Sequence, residues 1–264
     1  MTLTHVSQTL LTQMFKKQSP DMTHETKNQV ILFGASGGIG SAVFQQLQSE
    51  FFVTRVTSQK SKPNFLCFNF LHDKEEAFVD YALNSKPIHG IVFAHRLRAV
   101  PFNDELECMV LKPKRLVERL LALNLLNNAR VVFLNSNAST QVVNNVSAEY
   151  HLIRSALSGL IRCLSVKAGE YNCTVNSVSF TTVLKDSNFQ YFGESSDGVK
   201  RKELIERITP LGRMGTANDV AGAVNFLLSS DASFITGQDI CVDGGIGLYS
   251  NESTVEKFLD GLKH

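Results

Sequence analysis

The chain contains no tryptophan and only six prolines among 264 residues. Large aromatic volume therefore falls to its 18 phenylalanines, and proline-rich or low-complexity architectures are excluded. The five cysteines, Cys67, Cys108, Cys163, Cys173 and Cys241, are dispersed and include no C-x-x-C pair. That excludes a zinc ribbon or disulfide scaffold, so no metal site is expected and a reducing, cytoplasmic setting fits best. An excess of charge of either sign is also missing. The formal net charge is +1, which gives no steering toward nucleic acid. No apolar run approaches the length needed to span a membrane, and there is no internal repeat. Neither nucleic acid nor membrane is expected as a partner. Residues 1–28 are polar, broken by Lys16, Lys17 and Pro20, and lack a signal-peptide core; they read as a leader, with Met22 an alternative start.

What is present is alternation. Strand-like runs at Val30–Phe33, Val53–Thr57, 65–70, 90–94, Val131–Leu134, Thr174–Val178 and Asp239–Val242 alternate with helical patterns. The helical patterns run from near Ile39 to Gln48, over 75–83, 104–126, 148–167, 199–208 and 217–228. Pro113 interrupts the third of these or marks a start. Such alternation predicts an α/β fold, a doubly wound, mainly parallel sheet with helices on both faces, in one domain over 29–247. Ligands then sit beyond the C-terminal strand ends, after Phe33, Ala94, Leu134 and Val178.

Directly behind the first strand stands Gly34-Ala-Ser-Gly-Gly-Ile-Gly40. A glycine turn that opens a helix lets the backbone approach phosphates and offers unpaired N–H groups at positive potential. Gly34, Ser36, Gly37, Gly38, Ile39 and Gly40 are thus candidate dinucleotide-binding residues; the alternative is a tight turn without a ligand. The second strand ends in Thr57-Ser58-Gln59-Lys60, where an NAD site usually places an acid for the ribose hydroxyls. Ser58 and Gln59 can hydrogen-bond there, and Lys60 either meets a 2′-phosphate or is a solvated lysine. This leans toward NADP over NAD.

Tyr150 and Arg154 share one face of the long helix, and Ser136 follows the fifth strand. A phenol beside a cation can act as general acid toward a developing alkoxide, and a hydroxyl can polarise the carbonyl. A guanidinium can stabilise tyrosinate but does not relay a proton. The plainer alternative is an ordinary tyrosine with an arginine one turn away.

These residues resemble the short-chain dehydrogenase/reductase family, in particular single-domain enzymes of the 3-oxoacyl-(acyl-carrier-protein) reductase type. The resemblance spans about residues 28–247. It rests on Gly34–Gly40, on Tyr150 with Gly159 and Arg162, on 175–179, and on the C-terminal run Thr209-Pro-Leu-Gly-Arg-Met-Gly through Val242-Asp-Gly-Gly. It implies that Tyr150 is the catalytic acid/base, Ser136 its partner, and Arg154 the replacement for the family lysine, contacting cofactor ribose as well. The interval from Ser136 to Tyr150 is one residue longer than the family's; Asn137 fits the expected interval but has no hydroxyl. The family asparagine falls at Val110. The family's Asn-Asn-Ala-Gly appears as Phe93-Ala94-His95-Arg96, with Ala94 in the cofactor lining. Arg96 either fills the adenosine pocket or pairs with a phosphate. Asn69 stands where an acid is expected and remains a partner for adenine. Phe180-Thr181 replaces Pro-Gly, leaving Thr181 or Thr182 for a cofactor amide.

The resulting expectation is an NAD(P)-dependent oxidoreductase interconverting a carbonyl and an alcohol on a small or acyl-type substrate. The alternatives are an inactive subunit or scaffold of the same fold, and an enzyme of non-redox chemistry such as dehydration, isomerisation or cyclisation. His95, Arg96, Arg98, His151 and Arg154 lie in segments near the mouth and would favour an anionic substrate. Residues 185–208 form the expected lid, in which Phe189, Tyr191 and Phe192 line a pocket or pack the lid. A homodimer or homotetramer is implied through Ala217–Val242. Residues 248–264 form a tail with Val255, Phe258, Leu259 and Leu262 at helical spacing.

Overall fold

Strand β1 (Gln29–Phe33) is buried along its whole length, as a central strand of a parallel sheet must be when helices cover both faces. The computed structural model describes residues 27–59, 62–97, 100–144 and 146–260. The expectations for the leader to Met22 and beyond, and for Lys60, Arg98 and Leu262, lie outside the described residues. The remaining strands are β2 (Phe52–Thr57), β3 (Leu66–Cys67), β4 (Ile88–Phe93), β5 (Arg130–Leu134), β6 (Thr174–Phe180) and β7 (Asp239–Val242). They form one sheet in the order β3-β2-β1-β4-β5-β6-β7, parallel at every pairing.

Alternate side chains along each strand serve two separate cores. Val30, Leu32, Val92, Val132 and Val178 face helices α1 (Gly38–Leu47) and, later in the chain, 217–228. Ile31, Phe33, Ile91, Phe93, Val131 and Phe133 face α2 (Glu75–Leu83), then 112–122 and 148–169. This is the doubly wound arrangement with helices on both faces. The register pairs Phe33 with Phe93 and Phe93 with Phe133. Their rings stack at 5.1 Å and 4.6 Å between centroids, a ladder across the C-terminal ends of β1, β4 and β5. Sheet order reverses direction between β1 and β4, and the ligand crevice of such a sheet opens there.

Several boundaries differ from the sequence reading, three of them with a clear physical reason. The third strand keeps only Leu66 and Cys67 in ladder pairing, because Phe68 and Phe70 turn inward against Phe33. The helical stretch predicted over 104–126 begins earlier and is continuous through Pro113. Helix α3 (Phe102–Leu106) runs through a π-helical turn, Glu107–Leu111, into α4 (Lys112–Ala122). A proline clashes with the carbonyl four residues back, and a widened turn immediately before it relieves that conflict. Helix α5 (Ala148–Gly169) is as expected, and two helices fill 185–208: α6 (Asp186–Glu194) and α7 (Ser196–Ile208). The second starts three residues before Val199, since the Ser195 hydroxyl caps it by accepting from the Gly198 N–H.

Helix α8 (Ala217–Leu228) opens with a reciprocal cap. Thr216 Oγ1 accepts from the Asp219 N–H, the Asp219 carboxylate accepts from the Thr216 N–H, and Arg213 grips the same carboxylate with two nitrogens at 2.7 and 2.8 Å. Helix α9 (Asn251–Asp260) lies against α7, yet Val255, Phe258 and Leu259 stay exposed.

Candidate active site

Gly34 leaves β1 at φ +77°, a conformation open to glycine, and a Cβ there would lie 2.4 Å from the His95 nitrogen. A Cβ on Gly40 would lie 2.2 Å from the Gly34 oxygen, so these two glycines close the turn onto the helix. Gly37 is different. It caps α1 in extended geometry with no side-chain cap, and no acid occupies the first turn. A Cβ on Gly37 would meet only the Gly34 oxygen at 3.5 Å. The first N–H groups of α1 thus have no side-chain cap at the positive end of the helix, which fits the phosphates of a dinucleotide. A cavity of about 250 Å³ extends from this turn past Ser36, Ser58, Gln59 and Asn69, with no carboxylate in its lining. Asn69 spends its side-chain oxygen on the Leu71 N–H, leaving its amide nitrogen for a ligand.

A second cavity, of about 230 Å³, is lined by Ser136, Tyr150, Arg154, Thr181 and Lys185. Ser147 caps α5 by accepting from the Tyr150 N–H, which fixes the first turn that carries the phenol. Arg154 follows one turn later, 4% exposed. Its guanidinium carbon lies 4.8 Å from the Tyr150 ring centre, and that of Arg96 lies 4.7 Å away. Burial would raise the phenol's pKa, but the charge of Arg154, the hydrogen bond with Ser136 and the charge of Arg96 outweigh it. Tyr150 is held below its ordinary value. Burial acts in the opposite sense on Arg154 and lowers it, with Tyr150 opposing. Its hydrogen bond to the Leu134 carbonyl is long, 3.4 Å, and its Nε has no partner.

Ser136 faces the same cavity, with its hydroxyl donating to Asn137 Oδ1 at 3.3 Å. Asn135 steadies the frame from behind, donating to Ser158 Oγ and to the Arg154 carbonyl. Val110, at the position the resemblance assigns to asparagine, is buried in the apolar core and offers no polar atom. The π-turn around it instead turns the Cys108 carbonyl toward His95, whose Nε2–H donates to it at 2.9 Å.

Two of the expected positive groups are engaged in holding the fold in this arrangement. Burial drives the His95 imidazole down to about 4, with Arg154 adding to the effect and the Cys108 bond opposing it. His151 accepts the Val143 N–H at Nε2 and donates from Nδ1 to the Ser147 carbonyl, so it braces a loop. Among the described residues, Arg96, Arg154 and Lys185 bring positive charge to the mouth.

Of the sequence candidates, Gly34, Ser36, Gly37, Ser58, Gln59 and Asn69 line the first cavity; Ile39, Ser136, Tyr150, Arg154 and Thr181 line the second. Ala94, His95 and Arg96 line both. Gly38 and Gly40 shape the turn between them, and Gly38 packs against the stem of Lys185. Neither Phe189, Tyr191 nor Phe192 lines either of these two cavities; Phe192 is buried and Phe189 exposed. Sequence reading missed Asn135 and Lys185. For Lys185 the available signal was a cation at the start of the segment that crosses the strand ends. Among the described residues, no group of three or more histidine, cysteine or acidic side chains is placed to hold a metal, and no helix is long and apolar enough to cross a membrane.

A family profile described as enoyl-(acyl carrier protein) reductase matches residues 109–247. A tropinone reductase homologue of Arabidopsis thaliana is 37% identical over 123 residues, 47% of this chain and 45% of the relative. The chain thus spans less than half the length of that relative. Longer matches include L-xylulose reductase of Caenorhabditis elegans, 26% identical over 83% of this chain and 96% of the relative. A 3-oxoacyl-(acyl-carrier-protein) reductase of Rickettsia felis is 28% identical over 86% and 98%. Among solved structures, a gluconate 5-dehydrogenase from Burkholderia cenocepacia in complex with NADP and tartrate superposes with a TM-score of 0.71. It is 16% identical and covers 84% of this chain and 96% of that one. These relatives act on dissimilar substrates by name, so no one subfamily is singled out. With a family profile matching more than half of its length on a doubly wound parallel sheet, the chain belongs to the short-chain dehydrogenase/reductase family.

Proposed function

We propose that the chain is an NAD(P)-dependent oxidoreductase that interconverts a carbonyl and an alcohol on a small substrate. The observation that carries this reading is Tyr150, held below its ordinary pKa by Arg154, Ser136 and Arg96 at the inner end of a cleft that begins at an uncapped glycine turn. Gly37, Gly38 and Ile39 would hold the phosphates, and Ser58, Gln59 and Asn69 the adenosine end. The lining there lacks a carboxylate, which favours NADP because no charge repels a 2′-phosphate. Bound in this way, the nicotinamide supplies or accepts the hydride.

The chain's own residues handle the proton. Tyr150 Oη delivers a proton to the carbonyl oxygen in reduction and accepts it back in oxidation, and Ser136 Oγ hydrogen-bonds the same oxygen. Arg154 stabilises the tyrosinate left behind. It cannot pass a proton on, since a guanidinium stays protonated, so reprotonation of Tyr150 goes through the cavity's open side. A phenol working against this cation is worth about 100- to 10,000-fold in rate.

The test is binding of NADPH and NADH by calorimetry, followed by Tyr150→Phe. We expect NADPH binding in both proteins, and carbonyl reduction in the wild type alone. Absence of binding by either nucleotide overturns the reading. A second reading, a non-catalytic subunit of the same fold, is favoured by one feature: Ala94, His95 and Arg96 form a wall shared by the two cavities. It predicts folded protein with no nucleotide affinity. Self-association is part of the proposal; Phe226 and Phe234 are exposed on and after α8, and sedimentation as a monomer alone would refute it.

A further inference from the structure

Arg154 is a buried cation with no carboxylate bonded to it; Glu105 acts on it only through space. No Asp or Glu lines the cavity around Tyr150. Its Nε is enclosed and unpartnered, and its remaining contacts are the Leu134 carbonyl and the Tyr150 side chain. Arg96 brings a second guanidinium to the same ring from the end of β4. Arg96 is exposed and makes no hydrogen bond or ion pair with a described residue. Buried charge is normally paired, and two like charges beside one phenol raise the demand for a counterion. The phenol itself is neutral until it titrates.

We propose that the counterion is the substrate, a short oxo acid whose carboxylate is gripped by Arg96 while its ketone faces Tyr150 Oη and Ser136 Oγ. This rests on the oxidoreductase reading of the site and names its substrate class. A guanidinium meets a carboxylate through two parallel N–H···O bonds, which exceed a ring contact in strength and direction. Arg96 can therefore leave the Tyr150 ring for a carboxylate without breaking any other bond. Its charge lies over the ring itself, so the anion it binds sits one or two carbons from the ketone, as in 2-oxo and 3-oxo acids. A cavity of about 230 Å³ suits a short acid. The reaction is reduction of the ketone by hydride from NADPH and a proton from Tyr150, giving the hydroxy acid and NADP.

The test pairs acetoacetate with methyl acetoacetate, the same ketone without the charge, and adds malonate as a probe that cannot be reduced. Wild-type protein should prefer the acid by about tenfold or more in kcat/KM, the scale of one charge-assisted pair. Malonate should raise Tm. Arg96→Gln should erase the acid-over-ester ratio through KM for the acid, beyond any change in rate that acid and ester share through Tyr150, and should abolish the malonate shift; Arg96→Lys should restore part of both. Equal use of acid and ester by the wild type would overturn the proposal. So would Arg96→Gln weakening NADPH binding while the acid preference persists, which would assign Arg96 to a cofactor phosphate. Turnover of neither ketone would count against the oxidoreductase reading, and the malonate shift and its loss in Arg96→Gln would then decide the anion site alone.

Discussion

Arg154 lies one helical turn beyond Tyr150, with its guanidinium carbon 4.8 Å from the phenol ring centre and its Nε enclosed without a partner. The pair is both electrostatic and steric, and the fixed charge of the guanidinium favours the ionised phenol. Reduction needs Tyr150 to carry its proton, so the rate should be full below the phenol's pKa and fall as pH rises through it. Arg154 moves that limb below the ordinary phenol value. Arg154→Met should move it upward, because the Coulombic and hydrogen-bond contributions vanish together. Ultraviolet titration of tyrosinate, compared with Tyr150→Phe to isolate this residue, checks the direction. A limb that stays in place would show that Arg154 does not govern the phenol.

The same substitution should cost no stability. A buried charge with no carboxylate partner is expensive to hold, and an apolar side chain of similar length fills its volume without that penalty. We expect Arg154→Met to be neutral or more stable by about 1–2 kcal/mol in urea unfolding. Arg154→Ala, which leaves a void beside Tyr150, should lose stability instead. A strongly destabilised Met variant would mean that the arginine is retained for the fold and not for the site.

Much of this was readable in the chain, and the unread part has a physical reason. Period and composition placed every strand of the sheet, because buried parallel strands are continuous apolar runs such as Val30–Phe33. Tyr150, Arg154, Ser136 and the glycine turn were legible because local geometry fixes them: a helix face, a strand end, a strand-to-helix turn. Contacts between segments distant in sequence were not. That Arg96 reaches the Tyr150 ring, that His95 donates to Cys108 and is neutral, and that Lys185 packs on Gly38 depend on how strand ends converge. The π-turn before Pro113 was hidden for another reason, since apolar spacing alone cannot distinguish a widened turn from a break.

The glycine turn separates folding from ligand binding residue by residue. Gly34→Ala forces a side chain into a left-handed conformation and into the His95 backbone, so it should unfold the turn at a cost of about 2–4 kcal/mol. Gly37→Ala has an extended backbone and room for a methyl group, so its Tm should change little. That methyl group enters the space where phosphates would meet the N–H groups of α1. NADPH affinity should then fall by about tenfold or more. Calorimetry on Gly37→Ala showing unchanged affinity would place the nucleotide elsewhere.

His95 ties the floor of the site to pH. Its ring stacks on Phe70 at 4.4 Å, its Nε2–H holds the Cys108 carbonyl of the π-turn, and its backbone abuts Gly34. Burial lowers it from 6.5 to about 4 in the folded chain, so the folded state favours the neutral ring. Between those two values the unfolded chain binds more protons than the folded one. Stability is therefore complete above the unfolded value and lost as pH falls from 6.5 toward 4, by an amount on the order of 2–3 kcal/mol. Other acidic groups add their own slope, so the measurement is a comparison. Urea midpoints at neutral and mildly acid pH should fall less for His95→Gln, which keeps a donor for Cys108 but does not titrate, than for the wild type. Equal slopes would show that the imidazole escapes to solvent when protonated. A steeper wild-type slope would mean that acid loosens the π-turn and the Gly34 turn together, because one neutral ring joins them.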